Sequence, residues 1–313
     1  MSALGQSYPT CPITGEPAIR HVQWIKARWL ARMWKMAHGV NAPELARVKY
    51  FGLWESPTGL YFFDPMVEGS RAFYEKYYNW LLRHSLWARE SIREEFRLAA
   101  GYVKPRDRVL DVGCGFASFR GVLPPGASYV GLDPNFAENN SVDGVVNETL
   151  AAHLVANARS YDVVCSFQVI EHLASPATMF VDMMRAARRG GLVIVGVPQV
   201  PSALTRIPNF LMNFPPHHLT WWTERALTAL SEKNGATIES IQHVPWSPTD
   251  SLMYWMERCS PFRCTDIYFR NRLSWYTAPL IGLIGGRVMN AIKKLPAIND
   301  EGVGLLLVAR VPG

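Results

Sequence analysis

The sequence predicts an α/β fold in which a seven-stranded, mostly parallel sheet carries helices on both faces. Short apolar runs recur along the middle of the chain and end on glycine or polar residues, as buried parallel strands do. Segments with helical spacing of apolar residues separate these runs, which is the pattern of βαβ units. A hydrophobic fraction of 49% in 313 residues is sufficient for one core domain with additions.

The first two predicted strands frame the most informative segment. A run that ends at Val112 leads directly into a glycine turn at residues 113–115, and a second run, residues 129–132, ends on Asp133. Asp133 follows Gly113 by 20 residues, close to the roughly 20 that separate a glycine loop from the acid that binds ribose hydroxyls. This spacing predicts a nucleotide-type cofactor at the carboxyl ends of the two strands.

Two departures from the dinucleotide-binding pattern indicate which cofactor this is. Ala117 and Ser118 stand where the third glycine would fall, and Asp111 precedes the first glycine by two residues. A carboxylate at that position repels a diphosphate, whereas it attracts the cationic ammonium and sulfonium groups of S-adenosylmethionine. A nicotinamide oxidoreductase is therefore a disfavoured alternative.

The rest of the chain alternates strands and helices. One helix is predicted from the Ser175 N-cap to a stop at Gly190-Gly191, and another from the Thr223 cap to Asn234-Gly235. The remaining strands are predicted at residues 142–146, 161–167, 192–197, 236–244 and 302–311, the last two as an antiparallel edge.

Three motifs resemble those of the class I S-adenosylmethionine-dependent methyltransferases: the segment 111–115, the Gly-Leu-Asp at 131–133, and Tyr-Asp-Val-Val from 161 followed by Glu-His-Leu from 171. The resemblance implies a Rossmann-like fold with S-adenosylmethionine as cofactor. It gives cofactor-binding roles to Asp111, Gly113, Cys114, Gly115, Asp133, Pro134, Glu148 and Gln168.

Histidines are the candidate groups for acceptor orientation or proton removal. His172 follows the fourth predicted strand, and His217 and His218 lie in a proline-bounded loop beyond the fifth. Ligands of open α/β sheets bind at these strand ends, and imidazole is the usual proton acceptor near neutral pH. Backbone capping by Glu171 and His172 is the alternative.

The N-terminal segment is similar to a degenerate zinc ribbon that precedes many bacterial methyltransferases acting on sugars and other small molecules. Thr14, Glu55 and Thr58 occupy three of the four ligand positions and leave only Cys11. One cysteine cannot hold a tetrahedral structural zinc, so we predict no metal. Between the two halves, residues 24–36 have the spacing of a basic amphipathic helix, which serves either its own core or a membrane surface.

We therefore expect an N-terminal cap module (1–101), a cofactor-binding core (102–245), a helical lid insertion (246–300) and a final core strand (301–313). The predicted function is methyl transfer to an oxygen or nitrogen of a small-molecule, sugar or lipid-linked acceptor. A catalytically silent methyltransferase-like subunit that acts through a protein partner is the alternative.

The net charge and the composition limit the kinds of partner that we expect. A net charge of +6 is mildly basic, which suits an anionic acceptor or a peripheral membrane contact without requiring nucleic acid. The five cysteines form no C-x-x-C pair, and neither a secretory pattern nor a spanning apolar run is apparent, so we expect a cytoplasmic protein, membrane association remaining open. The number of chains that assemble is not predicted.

Overall fold

The N-terminal part of the chain folds into a small module of strands and helices. The computed structural model describes residues 8–84, 93–134, 142–246, 250–292 and 302–313. The elements of this first part are β1 (Arg20–Lys26), α1 (Ala27–His38), β2 (Tyr50–Glu55), β3 (Tyr61–Asp64) and α2 (Arg71–Arg83). The three strands pair antiparallel in chain order, and aromatic side chains of both helices pack on them to form a core of their own.

The basic helix expected over residues 24–36 is shorter than predicted. Trp24 and Ile25 belong to β1, where they pair with β2, and the helix begins at Ala27. Cross-strand pairing therefore outweighs the helical spacing at these two positions. The buried side chains of α1 include Leu30 and Trp34, so its apolar face serves the core of the module.

The central sheet has the seven strands that the sequence predicts. The elements after α2 are α3 (Glu94–Ala100), β4 (Arg108–Val112), β5 (Ser128–Leu132), β6 (Val145–Val146), α4 (Leu150–Asn157), β7 (Tyr161–Phe167), α5 (Pro176–Ala186), β8 (Ala187–Pro198), α6 (Ala203–Arg206), β9 (Thr220–Trp221), α7 (Glu224–Lys233), β10 (Thr237–Val244), α8 (Ser251–Cys259), α9 (Leu273–Ile292) and β11 (Gly304–Arg310). The sheet order is β10-β11-β8-β7-β4-β5-β6. Six of these strands run in one direction, and β11 runs in the opposite direction between β10 and β8.

Helices cover both faces of this sheet. Alternate residues of the strands point to opposite faces, so Leu110 of β4 packs with α4, α5 and α7, while Val109 packs with α3. The chain passes from β4 outward to β6 and then returns to place β7 on the other side of β4. This reversal opens a crevice at the carboxyl ends of β4 and β7, the usual ligand position in such sheets.

The helix α5 ends earlier than predicted. It stops at Ala186 rather than at Gly190-Gly191, and residues 187–190 already belong to β8. Ala187 pairs with Tyr161 of β7, and Arg188 forms an ion pair with Asp162. These contacts between distant segments take precedence over the local stop signal.

Two additions frame the crevice. The insertion between β10 and β11 is helical over its described part, and α8 packs on α9 where Gly282 and Gly286 allow close approach to Met256. The loop that contains His217 and His218 leads into β9, which pairs antiparallel with β3. The sequence did not predict β9, and through it the N-terminal sheet extends to the loop that contains His217 and His218.

Candidate functional site

One cavity of about 1790 Å³ lies at the carboxyl ends of β4, β5 and β7. The glycine turn, the ends of β5 and β7 and the three predicted histidines all line it. Residues of α1, α2 and α9 close it from outside, among them Trp29, Tyr74 and Leu280. The cavity therefore joins the predicted cofactor residues and the predicted acceptor residues in one space.

The glycine turn bends tightly over the end of β5. The amides of Gly113 and Cys114 both donate to the Leu132 carbonyl, at 2.7 and 3.1 Å. Gly113 has φ +75, and a Cβ on it would lie 2.4 Å from a methyl group of Val169. Gly115 also has positive φ, but open space surrounds its Cβ position. Glycine at 113 is thus needed for both backbone angle and space.

Asp133 lies beside this turn at the end of β5. Its Oδ2 accepts a hydrogen bond from the Gly115 amide at 3.0 Å, and both Asp133 and Pro134 line the cavity. Gly113, Cys114 and Gly115 line it as well. A carboxylate held against a glycine turn is the arrangement that binds ribose hydroxyls.

Glu148 and Gln168 complete the predicted cofactor side. Glu148 lines the cavity and binds Nδ1 of His153, whose Nε2 contacts the Tyr161 hydroxyl at 2.6 Å. Gln168 also lines the cavity, and its side-chain amide donates to Glu95 at 3.0 Å. Both side chains are therefore positioned by buried partners.

Asp111 is placed differently from the other predicted cofactor residues. Its buried carboxylate accepts a hydrogen bond from the Tyr129 hydroxyl at 2.9 Å, and the residue is not among those that line the cavity. Burial raises the pKa of Asp111 to about 7, although the Tyr129 hydrogen bond opposes this shift. The geometry supports an influence through charge and through the position of the turn instead of a direct cofactor contact.

The residues present fit S-adenosylmethionine. The cavity offers a carboxylate for the ribose diol at Asp133 and apolar surface for the adenine from Leu132, Leu150 and Val169. The glycine turn lets the backbone approach the methionine portion closely, and the raised pKa of the neighbouring Asp111 is the kind that a cationic ligand lowers.

The three histidines come together on the acceptor side. Ring centroids of His172 and His217 lie 4.5 Å apart, those of His172 and His218 4.9 Å, and those of His217 and His218 4.5 Å. A backbone hydrogen bond of 2.8 Å from the Leu219 amide to the Glu171 carbonyl joins the two loops that carry them. Sequence spacing of 45 residues between His172 and His217 gave no sign of this contact.

All three imidazoles are neutral at ordinary pH. Burial lowers the pKa of His172 to about 4, and burial together with the neighbouring rings lowers the pKa values of His217 and His218 well below their usual range. Nδ1 of His172 lies 2.6 Å from the His217 carbonyl, and Nδ1 of His217 lies 2.9 Å from the Met212 carbonyl. Since a carbonyl only accepts, Nδ1 carries the proton in both rings and Nε2 carries a lone pair.

Glu171 is a site residue that the sequence reasoning considered only as a capping group. Its side chain is fully buried, and neither carboxylate oxygen has a hydrogen-bond partner among the described residues. The carboxylate lies 3.8 Å from Nε2 of His172, and burial raises its pKa to about 8. The adjacent Glu-His pair was visible in the sequence, but the isolation of the carboxylate appears only in the tertiary structure.

Arg93 and Glu95 are also missing from the predicted site. Arg93 lines the cavity and forms an ion pair with the buried Glu95 at 2.8 Å, and Glu95 in turn holds Gln168. A basic residue at this point supplies a positive charge to the cofactor side. No motif in the sequence singled it out, because the helix that carries it was recognised only by its apolar spacing.

The degenerate zinc-ribbon positions have other partners in this structure. Cys11 is buried, Glu55 forms an ion pair with Arg20 at 2.7 Å, and the Thr58 hydroxyl contacts Ser56 at 2.8 Å. The segment is thus held by packing and local polar contacts, as expected. The five cysteines all lie in described parts of the chain and are free thiols.

The fold and the site define a class of protein. A glycine turn after the first strand of a Rossmann-like sheet, an acid after the second and a cavity shared with acceptor residues are the features of class I S-adenosylmethionine-dependent methyltransferases. Residues 84–241, about half of the chain, match the sequence model of a family described as a methyltransferase domain. The chain belongs to this family, whose cofactor is S-adenosylmethionine.

Curated relatives match part of the chain. A ubiquinone biosynthesis O-methyltransferase of Rhizobium etli is 27% identical over 158 residues, which cover 45% of this chain and 57% of that protein. The enzyme with the same description from Roseobacter denitrificans is 32% identical over 111 residues, which cover 32% of this chain and 42% of that protein. The chain thus spans about half the length of the curated relatives it matches.

Solved structures are similar at low identity. A S-adenosylmethionine-dependent methyltransferase from Archaeoglobus fulgidus has 16% identity and a TM-score of 0.48, covering 74% of this chain and 99% of that one. Phosphoethanolamine N-methyltransferase 2 from Haemonchus contortus, in complex with S-adenosylmethionine, has 16% identity and a TM-score of 0.46. The match covers 74% of this chain and 56% of that one.

Proposed function

We propose that this protein transfers the methyl group of S-adenosylmethionine to an oxygen of a small-molecule acceptor that has a sizeable apolar part. The observation that carries the proposal is that the glycine turn, Asp133 and the three histidines line the same cavity. A nitrogen acceptor is the second choice, because the relatives named above are described as O-methyltransferases.

The protein's own groups supply alignment and proton removal. S-adenosylmethionine, when bound, provides an already activated methyl group. The Asp133 carboxylate and the glycine turn fix its ribose and methionine portions, while His172, His217 and His218, which line the same cavity, orient the acceptor. A neutral imidazole accepts the acceptor proton as the oxygen attacks, and alignment alone contributes several kcal/mol.

The outer part of the cavity suits an apolar acceptor. Trp29, Met33 and Met36 of α1 and Leu280 and Leu283 of α9 line it. These side chains can enclose an aromatic ring or an alkyl chain while a hydroxyl group points to the histidines. A lipid-linked acceptor therefore fits better than a free sugar.

We propose further that the acceptor arrives from an anionic membrane surface. Six large apolar residues of α9 are exposed: Leu273, Leu280, Ile281, Ile284, Val288 and Ile292. Burial raises the pKa of the Tyr276 hydroxyl on α9, and the nearby Arg32 of α1 opposes this shift; both residues line the cavity. Within the described parts of the chain, no helix has the length and apolar character needed to cross a bilayer. The apolar face of α9 would lie in the interface plane beside the cavity mouth.

Calorimetry on tag-free protein tests the function. We expect S-adenosylmethionine and S-adenosylhomocysteine to bind with micromolar affinity and NADH not to bind. Asp133→Asn should weaken both adenosyl ligands at least about tenfold, since a charge-assisted hydrogen bond is lost. Alkylated phenols and catechols, with hexoses as the contrasting set, are then assayed for methyl transfer.

His218→Ala separates chemistry from binding. It should keep the affinity for S-adenosylhomocysteine and lose turnover. Binding of the adenosyl ligands without transfer to any acceptor would favour the catalytically silent subunit. Failure of both ligands to bind would remove the methyltransferase proposal.

A further inference from the structure

The three histidines on the acceptor side are arranged as metal ligands are. One ring nitrogen from each of His172, His217 and His218 lies within 4.8 Å of the other two. In a tetrahedral site with metal–nitrogen distances of about 2.0–2.1 Å, neighbouring nitrogens lie about 3.3 Å apart. The observed separations, up to 4.8 Å, are therefore wider than those of an occupied site, and the rings would have to close in on a bound ion.

Backbone hydrogen bonds already fix two of the rings in the required tautomer. Nδ1–H of His172 donates to the His217 carbonyl, and Nδ1–H of His217 donates to the Met212 carbonyl. Metal-binding histidines almost always donate their other ring nitrogen in this way, which orients the free nitrogen toward the ion. The ring of His218 is buried and stacks on that of His217, and no hydrogen bond of its ring nitrogens is seen within the described parts of the chain.

A buried carboxylate beside the cluster supplies the second observation. Glu171 is fully buried, borders the same cavity and has no hydrogen-bond partner for either oxygen among the residues described. Its Oε1 lies 3.8 Å from Nε2 of His172. A carboxylate removed from water in this way needs a cation or a donor nearby, and a divalent ion at the histidines would provide that charge.

We propose that His172, His217 and His218 bind a divalent transition-metal ion of the zinc type, with a fourth position open to the acceptor. Imidazole ligands suit Zn²⁺, Co²⁺ and Ni²⁺, whereas Mg²⁺ and Ca²⁺ require oxygen ligands. Three histidines with an open position are the ligand set of catalytic zinc. The sequence predicted no metal for this chain, and the proposal departs from that prediction.

The metal site adds a catalytic group to the proposed methyl transfer, and its role in catalysis rests on that proposed function. The acceptor hydroxyl takes the open position, where the ion lowers its pKa, and its proton passes to the Glu171 carboxylate. The oxygen then forms a bond to the methyl carbon while the carbon–sulfur bond breaks and S-adenosylhomocysteine leaves. The histidines in this arrangement are ligands, so the proton-accepting role that an imidazole would have in the metal-free cavity falls to Glu171.

Direct metal titration tests the proposal. Full-length, tag-free protein is stripped with a chelator and titrated with Zn²⁺, with Mg²⁺ as the contrasting ion, and with Co²⁺ to record its visible absorption. We expect one Zn²⁺ per chain at micromolar affinity or tighter, no Mg²⁺ binding, and the intense Co²⁺ bands of a four-coordinate site.

Variants locate the site. His218→Ala should weaken Zn²⁺ at least about tenfold, and Glu171→Gln should weaken it by a similar factor. His38→Ala is the matched control, because His38 also lines the cavity but lies outside the cluster, and it should leave the Zn²⁺ affinity unchanged.

Two results would overturn the metal site. One is the absence of stoichiometric Zn²⁺ and Co²⁺ binding by the wild-type chain, and the other is unchanged Zn²⁺ affinity in His218→Ala. In either case one of the histidines would act as the base instead. S-adenosylhomocysteine titration on the same samples verifies folding and tests the proposed function separately, since loss of that binding alone would leave the metal result standing.

Discussion

At the scale of single residues, the two glycines of the turn make different demands. Both have positive φ, but only at Gly113 does an added methyl group meet a neighbour, Val169, at 2.4 Å. We predict that Gly113→Ala lowers S-adenosylhomocysteine affinity more than tenfold, because the turn must move away from the end of β7. Gly115→Ala introduces similar backbone strain without the clash. It should weaken the binding free energy of S-adenosylhomocysteine by about 1 kcal/mol or less.

Calorimetric titration with S-adenosylhomocysteine, on the two single variants and on the double variant Gly113→Ala, Val169→Ala, tests whether the clash or the backbone angle lowers the affinity. The second substitution removes the methyl groups that clash, so it should recover part of the lost affinity. If both single variants lose affinity equally, backbone angle alone explains the requirement for glycine.

The sequence was informative about residues whose role follows from their position after a strand. Asp133, Gln168 and His172 line the cavity as expected, because parallel strands end at one edge. Asp111 was assigned to the same surface but is buried against Tyr129. Glu171 was adjacent to a predicted residue, yet the absence of partners for a carboxylate depends on every side chain around it, which one sequence does not specify.

At the scale of elements, α9 differs from a core helix because large apolar side chains along it are exposed. Its exposed apolar side chains predict binding to vesicles that contain anionic lipid. The double variant Ile284→Asp, Val288→Asp should reduce co-sedimentation with phosphatidylglycerol vesicles several-fold, because neither residue lines the cavity and both face outward. Binding of S-adenosylhomocysteine should be unchanged.

Val155→Asp provides the control, since Val155 is equally apolar and exposed but lies on α4. It should leave vesicle binding intact. Equal loss in both variants would point to added negative charge as the cause, and no binding by the wild-type chain would remove the membrane proposal.

Element boundaries show where sequence reasoning stops. The inner strands of the central sheet were found because each is an apolar run between polar turns, and such runs are buried in a parallel sheet. The end of α5 and the beginning of α1 were wrong by a few residues, since in both places a strand pairs with a distant partner. β9 was missed because a strand of two residues is too short to show an alternating pattern of apolar residues. Its pairing with β3 could not be read from the sequence either.

At the scale of the whole molecule, buried ionisable groups predict an optimum of stability near pH 6.5. Below it, the unfolded chain protonates four histidines that the folded chain keeps neutral, His38 and His172 down to pKa values of about 4 together with His217 and His218, so stability falls as the pH is lowered. Above it, Asp111 and Glu171 retain protons in the folded chain, with pKa values of about 7 and 8, while the unfolded chain has lost them. Stability therefore also falls as pH rises.

Urea unfolding of the metal-free and cofactor-free protein measures both limbs. Between pH 6.5 and pH 8 the two carboxyl groups should lower the free energy of unfolding by about 2 kcal/mol, at 1.36 kcal/mol per pKa unit. The double variant Asp111→Asn, Glu171→Gln should flatten this alkaline limb and leave the acid limb in place. An alkaline limb of the same slope in that variant would assign it to other groups.

The pairing of β9 with β3 joins the loop that contains His217 and His218 to a module that lies outside the half of the chain matched by the family. His217 and His218 lie inside the matched half, so the position of their loop depends on both parts of the chain. A substitution in β3 could therefore shift these two histidines without touching the glycine turn or Asp133.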